Sequence, residues 1–237
     1  MAERTVTTKR GFILYDDALA SYAGEELFSA GHWAQHAALR GAAGGRGNTW
    51  IVAGGNGEWV LRHYRRGGLV RHISRDYYLW QGLENTRPWR EWKLLAELYR
   101  DGLPVPQPVA AQAIRHGLAY RGDLVTRLIP DTHSLAARLK DTSPEFLPWP
   151  NIGACIRRFH NAGVYHADLN AHNILVDSRN DVYLIDFDRG ERRSPSVQWQ
   201  EANLKRLLRS LRKLAVPSLE EDYAWPSFLE GYNNGTK

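Results

Sequence analysis

YHADLNAHNILVDSRNDVYLIDFD, residues 165–188, is the stretch whose reading decides the fold. It holds two carboxylates, Asp168 and Asp186, and an amide, Asn173, around a run that goes apolar, polar, apolar. Ile174, Leu175 and Val176, then the polar cluster DSRND at 177–181, then residues 182–185, predict a short hairpin. Its second strand returns Asp186 to the neighbourhood of the loop that carries Asp168 and Asn173. A carboxylate held beside an acceptor hydroxyl orients it and gives its proton somewhere to go, which is the task for Asp168. The amide oxygen of Asn173 and the hard carboxylate oxygen of Asp186 suit a magnesium ion that bridges nucleotide phosphates. Each of these residues alone reads as a solvated loop or cap residue. The ordered set in its loop, strand, turn, strand context is what carries information. His166 is assigned to support of the loop through hydrogen bonds, not to proton abstraction.

The pattern H-x-D-x-x-x-x-N, followed by a strand and D-F, resembles the catalytic and metal loops of the protein-kinase-like fold. That resemblance implies an α+β, bilobal chain: a small β-rich N-lobe over residues 1–129, a mostly helical C-lobe over 130–237, and a short activation segment. Leu128, Ile129 and Pro130 mark the predicted hinge.

Upstream, RGFILY at 10–15 predicts a strand and residues 16–27 a short helix. Gly41, Gly44, Gly45 and Gly47 precede the strand TWIVA at 49–53, and glycines between strands let backbone N–H groups approach phosphates. Gly45 and Gly47 supply G-x-G, with Trp50 in the place of a third glycine. The turn GGNG at 54–57 joins residues 49–53 to 58–64 in a hairpin. Alternation puts Val60 and Arg62 on one face of its second strand, and Trp59, Leu61 and His63 on the other. Arg62 stands where a kinase-like strand presents its phosphate-binding lysine, and a guanidinium can grip phosphate bidentately. Residues 86–100 predict a helix capped by Thr86 and ended by Gly102, with Trp92, Leu95 and Leu98 as its apolar stripe and Glu91 as partner for Arg62. LPVPQPV at 103–109 is extended, strands follow at 109–115 and 118–128, and a helix at 151–162 leads into the catalytic loop.

Arg65, Arg66, Arg71 and Arg75 form a cationic flap followed by Tyr77, Tyr78 and Trp80. It reads equally as a grip for an anionic substrate or lipid headgroups and as a solvated face. Residues 198–214 predict a helix with Leu204, Leu207, Leu208, Leu211 and Leu214 as a stripe and basic residues elsewhere, either core with a solvated face or a membrane-surface helix. Ser218 and Glu221 form a capping box for a last short helix.

The chain has 237 residues, 43% of them hydrophobic and 24% charged, which is an ordinary globular composition and argues against disorder. Its single cysteine, Cys155, excludes a disulfide framework and is expected to be buried. MAERTVTTKRGFIL has no apolar core of a signal peptide, and no apolar run reaches membrane-spanning length, so a protein neither exported nor integral is expected. A formal charge of +5 with nine Trp points to an anionic partner. No zinc-ligand spacing or RNA-binding aromatic motif accompanies it, and nucleic acid ranks last among such partners.

YHADLNAHNIL, VYLIDFDRG, WVLRHYRRGG and TRPWREWKLLAELYRDGLPVPQPVAA together resemble the 3-deoxy-D-manno-octulosonic acid (Kdo) kinases, within the lipopolysaccharide kinases, over roughly residues 30–190. The resemblance implies ATP- and Mg²⁺-dependent phosphorylation of the 4-hydroxyl of a Kdo sugar on a Kdo-lipid A precursor. It also implies peripheral work at the cytoplasmic face of the Gram-negative inner membrane. Carried over by position, it makes Asp168 the catalytic carboxylate, Asn173 and Asp186 the metal ligands, Gly45 and Gly47 the phosphate loop, and Arg62 with Glu91 the phosphate-binding pair. Arg65, Arg66 and Arg71 are assigned to substrate. Ala167, Asn170 and the missing A-P-E segment depart from protein kinases and argue against a protein acceptor. Asp188 replaces the glycine of D-F-G, as a turn residue or as a contact to sugar or metal. The competing readings are a kinase for heptose, another small molecule or a protein, and a nucleotide-binding pseudokinase.

Overall fold

The computed structural model describes residues 2–20, 23–42, 49–55, 57–65, 76–214 and 223–235. Two compact units emerge: Met1–Glu97 with Pro106–Leu128, and Leu98–Val105 with Ile129–Lys237. The whole is α+β, with an antiparallel sheet in the first unit and most of the helix in the second.

The first unit is built on strands β1 (Glu3–Thr7), β2 (Gly11–Asp16), β3 (Leu39–Ala42), β4 (Thr49–Gly54), β5 (Gly57–His63), β6 (Tyr78–Leu79), β7 (Pro108–His116) and β8 (Ala119–Arg127), with helices α1 (Ala30–Gln35) and α2 (Arg87–Arg100). The strands run in the order β1-β2-β7-β8-β5-β4-β3, and β6 adds to β8. β7 is central and reads PVAAQAIRH, with six successive buried positions, because both of its faces are covered. Val52, Trp59, Leu61, Val109 and Val125 form a core on one side, closed by Leu27, Phe28 and Trp33 from the segment before β3. Trp33 meets Trp59 edge-on at 6.0 Å.

No α-helix forms among the described residues of 16–27, where one was expected. Asp16 Oδ1 accepts from the backbone N–H groups of Ala2 (2.9 Å) and Ala18 (3.2 Å), so the side chain competes for the donors a helix would use and closes a turn behind β2. Among the described residues, helical structure begins with a 3-10 turn at Glu25–Phe28 and α1. The hairpin β4–β5 pairs Thr49 with Arg62 and Gly54 with Gly57, whose φ of 121° only glycine adopts without strain. α2 ends as its sequence requires. Gly102 (φ 72°) donates to the Tyr99 carbonyl at 3.1 Å and Leu103 to Leu98 at 3.0 Å, the paired bonds of a Schellman stop. Its start differs: the Thr86 hydroxyl donates backward to the Leu83 carbonyl at 2.7 Å, and the Arg87 N–H is taken by the Tyr120 hydroxyl at 2.9 Å.

The second unit comprises β9 (His133–Ser134), α3 (Leu135–Asp141), α4 (Trp149–Asn161), β10 (Val164–Tyr165), β11 (Ile174–Val176), β12 (Val182–Leu184), β13 (Glu191–Arg192), α5 (Val197–Lys213) and α6 (Ala224–Asn234). α4 buries Ile152, Cys155, Ile156 and Phe159, the i, i+3, i+4, i+7 positions of its sequence. It meets α6 backbone to backbone. A Cβ added at Gly153 would lie 2.0 Å from the Phe228 carbonyl oxygen, and one at Gly231 would lie 2.0 Å from that of Pro150. Burial pushes the Cys155 thiol up to about 12, so it is an inert core residue. The capping box at Ser218 and Glu221 lies outside the described residues; α6 starts at Ala224.

Candidate active site

In the first unit, β5 aims Arg62 at α2. Its Nη2 contacts Glu91 Oε2 and lies 3.1 Å from the Tyr64 hydroxyl, which donates to the same carboxylate oxygen. Glu91 is only 2% exposed, so its charge depends on these partners. The guanidinium carbon of Arg62 also sits 4.8 Å from the centre of the Tyr64 ring. The structure thus brings Arg62 and Glu91 together, and it adds Tyr64, which the sequence reading did not single out. Arg62 retains partial exposure, as a cation that serves a ligand must. On the opposite side of β5, His63 lies 2.7 Å from Asp123 and 3.5 Å from Asp76, and the hydrogen bond to Asp123 is the main cause that holds its pKa up. Arg65 is exposed just past β5, whereas Gly45, Gly47, Arg66 and Arg71 lie outside the described residues.

The second unit carries the carboxylates. The β11–β12 hairpin forms with Ile174 opposite Leu184, and its turn is shaped by Asp177 Oδ1, which accepts from the N–H groups of Arg179 and Asp181 at 2.8 Å each. Ile185 N–H then donates to the Asn173 carbonyl at 3.0 Å, which sets Asp186 next to Asn173. Asp186 adopts φ 63°, a left-handed conformation unusual outside glycine, and Phe187 behind it is buried against Phe159 (5.7 Å) and His166 (4.7 Å).

His166 is the loop's internal brace. Its Nε2 donates to the Ile185 carbonyl at 3.0 Å and its Nδ1 accepts the Asp168 N–H at 3.2 Å, which fixes the neutral tautomer. Burial lowers its pKa in the same sense. Asn170 closes the loop: its Nδ2 donates to the Asp168 carbonyl at 2.9 Å and its Oδ1 accepts the His172 N–H at 2.8 Å. The Asn173 Nδ2 also donates to the Asp168 carbonyl at 2.9 Å. That contact turns the amide oxygen of Asn173 away from Asp168.

The Asp168 carboxylate itself is 59% exposed, with Oδ1 3.2 Å from Arg206 Nη1. Arg206 belongs to α5, and α5 is fastened to the loop from end to end. Asn203 Oδ1 accepts the His166 N–H (3.3 Å), Asn203 Nδ2 donates to the His166 carbonyl (3.1 Å), and the Ser210 hydroxyl accepts the Ala171 N–H (3.2 Å). The expected leucine stripe is the inward face, with Asn203 added to it. Asn203, Leu207 and Leu211 are the buried positions, while Leu204, Leu208 and Leu214 are half-buried. A polar residue in register with a leucine stripe was the available signal for this docking.

Asn173 and Asp186 offer an amide oxygen and a carboxylate. This suits Mg²⁺, which takes one or two protein oxygens and completes its shell with water and phosphate. No group of three or more His, Cys, Asp or Glu capable of holding a metal occurs among the described residues.

Residues 30–232 match the model of the lipopolysaccharide kinase (Kdo/WaaP) family. The chain belongs to this family. Its Kdo/WaaP relatives include proteins named 3-deoxy-D-manno-octulosonic acid kinase from Stenotrophomonas maltophilia strain K279a (47% identical, covering 90% of this chain and 87% of the relative) and Xanthomonas axonopodis pv. citri strain 306 (45% identical, 90% and 87%). A third, from Xylella fastidiosa strain M23, is 44% identical over 87% of this chain and 82% of its own length. The Kdo/WaaP match spans every candidate residue from Arg62 to Arg206.

Proposed function

We propose that this chain is a Kdo kinase: an enzyme of protein-kinase-like, bilobal build that moves the γ-phosphoryl group of ATP to the 4-hydroxyl of a Kdo sugar on a Kdo-lipid A precursor, in lipopolysaccharide core biosynthesis. The observation that carries this reading is the intact loop of Asp168, Asn173 and Asp186, held by His166, in a member of a lipopolysaccharide kinase family. The acceptor oxygen forms a bond to the γ-phosphorus, the bond from that phosphorus to the bridging oxygen breaks, and ADP departs. Asp168 is suited to orient the hydroxyl and take its proton, because one carboxylate oxygen is steadied by Arg206 while the group stays exposed. Asn173 and Asp186 would hold Mg²⁺, which supplies positive charge to the phosphates. Arg62, aimed by Glu91 and Tyr64, is a fitting phosphate-binding cation.

A lipid-anchored acceptor supports work at the cytoplasmic face of the inner membrane by a peripherally bound protein. No helix among the described residues is long and apolar enough to cross a membrane. Leu79 and Leu118, 62% and 79% exposed, belong to neighbouring segments joined where Trp80 N–H donates to the Leu118 carbonyl at 2.9 Å, and Arg115 covers the Trp80 ring. Exposed leucines with an aromatic and a cation beside them suit a bilayer interface.

Transfer from labelled ATP with Mg²⁺ is the test, comparing the Kdo-bearing lipid A precursor with the same lipid lacking Kdo. Labelling should require Kdo, and Asp168→Ala should lower turnover about 10²- to 10⁴-fold with ATP affinity retained. Labelling of neither lipid while ATP still binds would defeat the assignment and favour another acceptor or a pseudokinase.

A further inference from the structure

A depression of about 240 Å³ opens beside the reacting carboxylate, lined by Asp168, Asn170, Arg206, Arg209, Ser210 and Lys213. Its size is below that of pockets for drug-sized ligands and suits one sugar residue rather than an extended chain. Three of its six lining side chains are cations on α5, and Asp168 is the one carboxylate among them. Only Arg206 is engaged by that carboxylate; among the described residues neither Arg209 nor Lys213 has an acidic partner. On the helix itself the one carboxylate, Glu201, is engaged by Lys205 at 3.2 Å, and residues 202–213, ANLKRLLRSLRK, contain no Asp or Glu. The cations are nevertheless held in place. Asn203 and Ser210 bond α5 to the backbone of His166 and Ala171, so the stretch that carries Arg206, Arg209 and Lys213 is anchored to the loop it faces. A merely solvated basic face would have no such ties to a catalytic loop.

We propose that Arg206, Arg209 and Lys213 form the acceptor pocket, and that they bind the carboxylate of the sugar acid whose hydroxyl Asp168 receives. This rests on the assignment of a Kdo acceptor. An octulosonic acid carries its negative charge on the same residue as the reacting hydroxyl, so a net-positive pocket at Asp168 captures the charge and thereby aims the hydroxyl. Arg206 spans both roles, because a guanidinium has donors for Asp168 and for an incoming carboxylate at once. The absence of a lysine two residues after Asp168 fits the same arrangement: Asn170 shapes the loop there, and the positive charge comes from α5 instead.

The test measures acceptor KM for the wild type, Arg209→Ala, Lys213→Ala and the double variant, on a Kdo-bearing acceptor and on its carboxamide. These side chains line an open depression, and circular dichroism checks that each variant folds. Neutralising the carboxylate should raise the wild-type acceptor KM about 10- to 100-fold, and the variants should show a similar rise on the acid with KM for ATP unchanged. The carboxamide should cost the double variant little more, because the interaction is already gone. Unchanged KM in the variants, or full multiplication of the two effects, would overturn the proposal. An acceptor stripped of its lipid phosphates forms a third arm: if the variants lose nothing on it, the cations read phosphate and the carboxylate assignment fails. Calorimetric binding of acceptor without ATP separates the two levels. Carboxylate-dependent binding without transfer would strike the reaction and keep the pocket; transfer without carboxylate dependence would strike the pocket and keep the reaction.

Discussion

Glu91 shows how one buried charge organises a site. Nearly inaccessible, it draws both Arg62 Nη2 and the Tyr64 hydroxyl to a single oxygen, and the two donors lie 3.1 Å from each other. Removing the cation takes a charged partner from a carboxylate in a poorly solvated place. Arg62→Ala should therefore cost about 3 kcal/mol in urea unfolding and weaken ATP binding, whereas Arg62→Lys, which keeps the charge but not the fork, should lose less stability. Equal stability of Arg62→Ala and wild type would deny Glu91 its dependence on this partner. Asp168, Asn173 and Asp186 were legible in the sequence because their spacing is local and is set by one loop and one hairpin. Tyr64 and Arg206 were not. Tyr64 reaches Glu91 across 27 positions and Arg206 reaches Asp168 across 38, and no short-range pattern marks contacts that only tertiary packing creates.

At the scale of elements, backbone approach between α4 and α6 is set by two glycines that the hydrophobic pattern does not reveal. Gly153→Ala would drive a methyl group into the Phe228 carbonyl, and neither helix can yield without displacing Ile152 or Phe228 from the core. A loss of about 2 kcal/mol or more is expected, read as a lower thermal midpoint; an unchanged midpoint would mean that the two helices separate freely. The same region sets a pH dependence. Burial lowers His160, at the end of α4, to about 4, and lowers His166 as well, so both are neutral in the folded chain. The unfolded chain binds protons at these histidines from about pH 6.5 downward while the folded chain does not. Stability is thus fully present above that range and falls as the pH drops from about 6.5 toward 4, with about 3 kcal/mol at stake for His160. Denaturant midpoints between pH 7.5 and 5 should show the decline, and His160→Gln should flatten it; an equal slope in that variant would remove His160 as a cause. Helix interiors were readable from periodicity. Their ends were readable only where a local device acts, as at Gly102, and not where a distant hydroxyl does the capping, as Tyr120 does for Arg87.

For the molecule as a whole, a charge of +5 favours an anionic surface but does not say which part of the protein meets it. The described surface is more specific. Leu118 follows Gly117 (φ 61°) at the β7–β8 turn, so the chain reverses there and presents a large apolar side chain to water. Leu79 pairs with Ala119 on the neighbouring strand, which puts the two leucines at one edge of the sheet. Trp80, next to Leu79 in the chain and bonded to the Leu118 carbonyl, is stacked on Phe12 at 6.2 Å and covered by Arg115 at 5.0 Å. A lone exposed leucine is ordinary, but two at one end of the sheet, one on each face of the β6–β8 pairing and with an aromatic and an arginine nearby, suit contact with lipid headgroups. Each leucine that leaves water on contact with acyl chains contributes on the order of 1 kcal/mol or more. Leu79→Glu combined with Leu118→Glu should accordingly lower co-sedimentation with anionic vesicles at least about tenfold. Activity on an acceptor presented in those vesicles should fall with it, while activity on a deacylated, soluble acceptor should stay as in the wild type, because neither leucine is near Asp168 in sequence or belongs to its unit. If the soluble acceptor is lost as well, the substitutions have damaged the fold; if vesicle binding is untouched, the contact lies elsewhere on the basic surface.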